Sequence, residues 1–173
     1  MLEKGESDVN SAEQEETQES KGLAEEELQA AVDKLIRNTV YGSMGVGLIP
    51  LPLVDLAALT AVQLIMLKKL ATKYDIEFSK DIGKSVIGSL LASVIPTSMA
   101  GGLSSLIKAI PVIGQSIGVL TMPIIAGAST YALGQVFVQH FASGGTFLDL
   151  DPEKVQQYYK KKFEEGQNFV KGL

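Results

Sequence analysis

Apolar positions Leu28, Ala31, Val32, Leu35, Ile36 and Val40 recur three and four residues apart, which predicts an amphipathic helix from Leu23 to about Val40. Glu25, Glu26 and Glu27 fall in its first turn, and Lys34 and Arg37 come later, the order that the helix dipole favours. A second amphipathic helix closes the chain. Asp151 can cap it, Pro152 suits the first helical position, and Glu153 follows in the first turn. Its apolar stripe is Val155, Tyr159, Phe163 and Val170, with Lys160, Lys161 and Lys162 alongside. Such a helix either packs on the body of the protein or lies on an anionic membrane surface.

Between these two helices the polar face disappears. From Asn38 to Leu67 the only charge is Asp55, and from Ser85 to Phe147, 63 residues, the only formal charge is Lys108. A soluble domain normally carries about a quarter of its residues charged, spread over every exposed face. The two charge-poor stretches flank a lysine-rich segment, Lys68 to Lys84. A spanning helix needs about 20 apolar residues. Leu48–Leu67 just reaches that length, with Pro50, Pro52 and Asp55 crowding its start. Pro96 and Gly101-Gly102 interrupt Ser85–Ile107, and Pro111 and Pro123 fall early in Ala109–Gln139. Helices broken in this way are tolerated at membrane depth where neighbours satisfy the freed backbone. The pattern therefore predicts an all-α protein: broken apolar helical hairpins in or on a membrane, flanked by amphipathic N- and C-terminal helices.

Small residues spaced by four supply candidate helix-packing rows: Ser85, Ser89 and Ser93; Gly114 and Gly118; and Ala126, Thr130 and Gly134. These rows also suit a homo-oligomer. Lysines 68, 69, 73, 80 and 84 lie between the apolar blocks, and lysines 154, 160, 161 and 162 follow the last one. By the positive-inside tendency both regions are cytoplasmic, with crossings at 85–107 and 109–141 and both termini inside.

The net charge of −5 conceals an asymmetry. Residues 1–30 hold ten acids against two lysines, whereas residues 31–173 hold ten acids against thirteen bases. Residues 1–22, rich in Glu, Gln and Ser, read as a disordered acidic tail, leaving 23–173 as a single helical domain. The tail lacks the basic start and apolar run of a signal peptide. With no cysteine there is neither a disulfide framework nor a thiolate metal site.

Candidate chemistry is sparse. Gly83-Lys84-Ser85 ends like a phosphate-binding loop, yet Phe78 stands where that loop requires its first glycine. Gly114-Gln115-Ser116-Ile117-Gly118 matches a nucleophile elbow, but no Asp or Glu separates Ser116 from His140, the sole histidine. A metal at His140 would need carboxylates that no spacing fixes around it. Asp55, an acid in an apolar stretch, is either a functional group or a first-turn carboxylate held by free amides if a helix starts near Pro52. Nothing here predicts a catalytic residue, a cofactor or a metal, and the lysines lack the arginine and aromatic company that nucleic-acid binding needs.

Two stretches carry a resemblance. Ile49-Pro50-Leu51-Pro52-Leu53-Val54-Asp55-Leu56 runs into Gln63-Leu64-Ile65, and His140 to Asp149 reads HFASGGTFLD, with Gly144, Gly145 and Asp149 its characteristic positions. Together they resemble the YcjF-like family, a bacterial membrane-associated domain of unknown function, over roughly residues 38–160. Members are often fused to, or encoded beside, small GTPases of the Era/Der type. The resemblance implies a non-enzymatic membrane adaptor or regulator at the bacterial inner membrane, with lipid bilayer and a small GTPase as partners. It supplies no catalytic residue, and this chain lacks a GTPase domain. Two further readings stand beside it: a membrane-remodelling or pore-like oligomer, and a small ion-coupled transporter centred on Asp55.

Overall fold

The computed structural model describes residues 3–48, 52–94 and 113–173, with side-chain surroundings at 18, 20–48, 56–94 and 122–173. Among the described residues there are five α-helices and no strand: α1 (Glu3–Val46), α2 (Pro52–Lys73), α3 (Lys80–Val94), α4 (Ile113–Ala142) and α5 (Pro152–Lys171). The chain divides into two units, Met1–Lys34 and Leu35–Leu173.

In the first unit α1 starts at Glu3, although the composition predicts a disordered tail as far as residue 22. Glu, Gln, Ala and Lys are good helix formers, so local propensity favours helix even where no core forms. Lys21, Gly22 and Leu23 are exposed. One turn before the unit boundary, Gln29 Nε2 donates to Asp33 Oδ1 at 3.0 Å, a helical i,i+4 pair.

The second unit is built around α4. From Pro123 to Phe141 nearly every α4 position is buried or half-buried, as expected of a helix that is apolar all round. Its most extensive partner is α5, and it also packs on α2 and α3. A Cβ added at Gly134 would sit 2.8 Å from the Ile36 side chain, so glycine is what lets the last part of α1 lie against α4. Ala126 joins Leu59 of α2 and Leu91 of α3 in one apolar cluster, with Val94 packed on it. Around this axis α2 buries Met66, Leu67, Leu70 and Ala71, and α3 buries Val86, Ile87, Leu90 and Leu91. α3 touches both α2 and α5.

The described residues give the expected crossings at 85–107 and 109–141 no support. Among the described residues no helix is long and apolar enough to cross a membrane. The described side chains of the 109–141 segment have other helices of the same chain against them. From Pro123 onward α4 is the core of the bundle, and a protein interior excludes unpaired charge as lipid does. The 85–107 segment contributes only Ser85–Val94, the last ten residues of the 15-residue α3, and its remainder lies outside the described residues. Pro123 does not break α4, which runs through it. The ring forfeits one backbone hydrogen bond, and the packing on both sides holds the helix together.

α5 follows its sequence signals closely. Asp151 is the N-cap, its Oδ1 accepting from the Glu153 amide at 3.0 Å, and Pro152 opens the helix. The stripe of Tyr159, Phe163 and Val170 is buried, which makes α5 a packing helix. Burial alone raises the Tyr159 pKa above the ordinary phenol range.

Candidate functional site

One end of the second unit is closed by its own chemistry. α4 terminates in a Schellman motif: the Gly144 amide donates to Phe141 O at 2.9 Å and the Gly145 amide to His140 O at 3.0 Å, with Gly144 at φ +85°. Glycine is favoured at 144 because at that φ a side chain would crowd the preceding carbonyl. At Gly145 a Cβ would run into the His140 ring. That ring's Nε2 bonds the Thr146 carbonyl oxygen at 2.9 Å and stands 3.6 Å from Asp149 Oδ1. Asp149 Oδ1 accepts from both the amide and the hydroxyl of Thr146, each at 2.6 Å. These bonds hold the Asp149 carboxyl down to about 2, below the ordinary 3.8. Phe147 then turns inward, 1% exposed, against Phe78, Phe137 and Phe141, with ring centroids 5.2–5.5 Å apart. Leu148 points the other way, 86% exposed.

The α2–α3 turn meets the same cluster, Tyr74 lying 5.9 Å from Phe141 between centroids. α2 also ends in a Schellman motif, but with Asp75 at φ 55° in the glycine position and the Ile76 amide donating to Ala71 O at 2.8 Å. Thus Gly144, Gly145 and Asp149, distant from any chemistry in sequence terms, form one rigid loop. It offers a shaped surface in which the Ser143 hydroxyl donates to His140 O and the Thr146 hydroxyl to Asp149.

A buried polar node lies midway along the unit. Gln63, 2% exposed, donates from Nε2 to Ser129 Oγ at 3.3 Å and to Thr130 Oγ1 at 3.2 Å. Ser129 Oγ in turn donates to Ala126 O at 3.0 Å. Among the described residues no buried side-chain nitrogen or oxygen lacks a partner, and the node fixes the register of α2 on α4. Periodicity does not reveal it. The signal in the sequence is an amide alone in an apolar stretch opposite a Ser-Thr pair.

The opposite end is different. α1 ends at Val46, and Gly47 abuts α4 so closely that a Cβ there would be 3.0 Å from the Pro123 backbone. Leu48, Leu56 and Met122 are 61%, 40% and 39% exposed. Pro52 begins α2, so Asp55 falls in its first turn. Pro50 lies outside the described residues, and Gly114 and Gly118 belong to the first turns of α4, where surroundings are not described. Ala126, Thr130 and Gly134 are buried inside the bundle, whereas Ser85 and Ser89 are on the exposed side of α3. Ser93 returns its hydroxyl to Leu90 O at 2.6 Å. Gly83 is packed on Leu64 within α3, and Ser116 lies inside helix α4, so neither is in the loop its motif would need. Among the described residues no cluster of His, Asp and Glu could hold a metal ion.

Comparison with known proteins adds three findings. The chain is 38% identical over 135 residues to "Magnetosome membrane protein 22" of Magnetospirillum gryphiswaldense, covering 78% of this chain and 69% of that protein. No solved structure matches. The model of the domain of unknown function DUF697 matches residues 11–168, nearly the whole sequence, and the chain belongs to that family.

Proposed function

We propose that this chain is a non-enzymatic, membrane-associated helical domain that attaches through its charge-poor end and serves as an adaptor or regulator for a small GTPase. The observation that carries the membrane half is the contrast between ends: exposed apolar side chains at Leu48, Leu56 and Met122, against a closed, hydrogen-bonded loop at the other end. A relative that bears the name of a membrane protein supports it. The mode of attachment is then insertion of the bundle end into one leaflet, because the apolar faces of α4 and α5 are already spent on each other. The GTPase half rests on the resemblance of residues 49–65 and 140–149 to the YcjF-like family, and on Leu148, a fixed apolar knob suited to a protein partner.

Flotation of the purified chain with lipid vesicles tests the first half. The chain is expected to rise with the vesicles, and recovery entirely in the lipid-free fraction overturns the reading. Co-purification with a nucleotide-loaded small GTPase tests the second. Retention should weaken on Leu148→Asp, and absence of retention in every nucleotide state removes the GTPase from the account.

A further inference from the structure

The packing leaves a groove between α2 and α3 with a volume of about 600 Å³. Leu56, Ala57, Thr60, Ala61 and Leu64 form its floor, and Lys80 and Lys84 its wall. Thr60 donates its hydroxyl to Leu56 O at 2.7 Å, so the floor presents methyl groups and no free donor. Ile65, 57% exposed, prolongs the apolar stripe beyond the groove.

Gly83 packs against Leu64 and Leu67, so Lys84, the next residue of α3, stands at the Leu64 end of the groove floor, with Lys80 one turn earlier on α3. Among the described residues, none of Lys68, Lys69, Lys73, Lys80 and Lys84 forms an ion pair. The acids of this region, Asp75, Glu77 and Asp81, lie in the α2–α3 turn or the first turn of α3, and none lines the groove. From Lys84 the uncharged part of α3, Ser85–Val94, descends ten residues toward the charge-poor end. At 1.5 Å per residue that is roughly 15 Å, the half-thickness of a bilayer's hydrocarbon core of about 30 Å.

The geometry points to an anionic phospholipid in this groove, its phosphate held by Lys80 and Lys84 and an acyl chain laid along α2 toward the charge-poor end. This rests on the membrane reading above and adds a lipid class and a binding site to it. The lysines mark the headgroup level, where a cation on a long stem keeps its charge in water while its methylenes cover apolar surface. An apolar floor continuous with the inserted end selects a lipid over a free phosphate.

The full chain is floated with vesicles of phosphatidylcholine alone, and with vesicles in which about a third of the lipid is phosphatidylglycerol. Binding should be much tighter to the second. Lys80→Gln with Lys84→Gln should weaken binding to anionic vesicles about 25-fold, roughly fivefold per lysine, and leave phosphatidylcholine binding unchanged. Lys154→Gln with Lys161→Gln on α5 removes the same charge from another face and should change binding less than about twofold. Equal losses from both pairs would overturn the groove, since charge alone would then explain the preference. Wild-type binding that is indifferent to phosphatidylglycerol overturns it too, while leaving membrane attachment intact. Failure to float with either vesicle removes the membrane reading itself.

Discussion

The two ends of the Leu35–Leu173 unit are built from the same helices and solve the helix-terminus problem in opposite ways. At one end the last carbonyls of α2 and α4 are taken up by Schellman bonds, Asp149 gathers the Thr146 donors, and five aromatic rings from Tyr74 to Phe147 fill the space beneath. At the other, Gly47 is tucked against Pro123 while Leu48, Leu56 and Met122 stay exposed. The closed end has spent its aromatic surface on itself and leaves Leu148 as its one large exposed apolar side chain among the described residues. The charge-poor end leaves more, and that remaining surface is what an outside partner of low polarity can cover.

The contrast breaks most readily at Phe147. With contacts to three other rings and 1% exposure, Phe147→Ala should cost about 3–5 kcal/mol, read as a fall in the unfolding midpoint. A loss below about 1 kcal/mol would mean that the ring cluster does not hold the closed end. A smaller effect is expected at Asp149, whose carboxylate is exposed. Its native pKa of about 2 is depressed from 3.8, so its stabilising contribution is complete above the unfolded value and is lost as the pH falls through about 2. Asp149→Asn should therefore flatten the loss of stability between roughly pH 4 and pH 2, and a variant with the wild-type acid profile would contradict the Thr146 bonding.

Smaller still is Asp75, which occupies a left-handed C-cap position at φ 55°. Asp75→Gly should stabilise by about 0.5–1 kcal/mol, and a destabilised variant would show that the aspartate side chain contributes more than its backbone strain costs. Least of all, Leu48→Ser with Leu56→Ser should leave thermal stability within about 0.5 kcal/mol of wild type, because neither side chain is in the core. Vesicle binding should nevertheless fall, and an unchanged vesicle affinity would remove these residues from the attachment surface.

What the sequence revealed depended on whether a signal was local. The capping set Asp151-Pro152-Glu153 and the stripe of α5 predict that helix correctly because caps and periodicity act within a turn or two. Pro52 at the start of α2, with Asp55 in its first turn, was legible for the same reason. The solvent around α4 was not. A segment with apolar residues on every side looks alike whether lipid or four other helices surround it, and only tertiary packing decides. Gly144, Gly145 and Asp149 stood out by resemblance alone. Their roles depend on a bond from the His140 ring to Thr146 O and on a carboxylate that reaches back three residues, and no spacing rule encodes either. The Gln63–Ser129–Thr130 node, joining positions about 66 residues apart, was equally out of reach.

The central claim is that the charge-poor end, and not the closed end, meets lipid. Because the chain has no cysteine, Leu48→Cys and Leu148→Cys each create a single labelling site on an exposed leucine, one at each end. With nitroxide labels and the protein bound to anionic vesicles, the spectrum of accessibility to oxygen and to a water-soluble relaxation agent places each label in or out of the bilayer. The account predicts the label at 48 immersed in hydrocarbon and the label at 148 in water. A label at 48 that stays fully aqueous while the protein is vesicle-bound, or a label at 148 that enters the lipid, contradicts it.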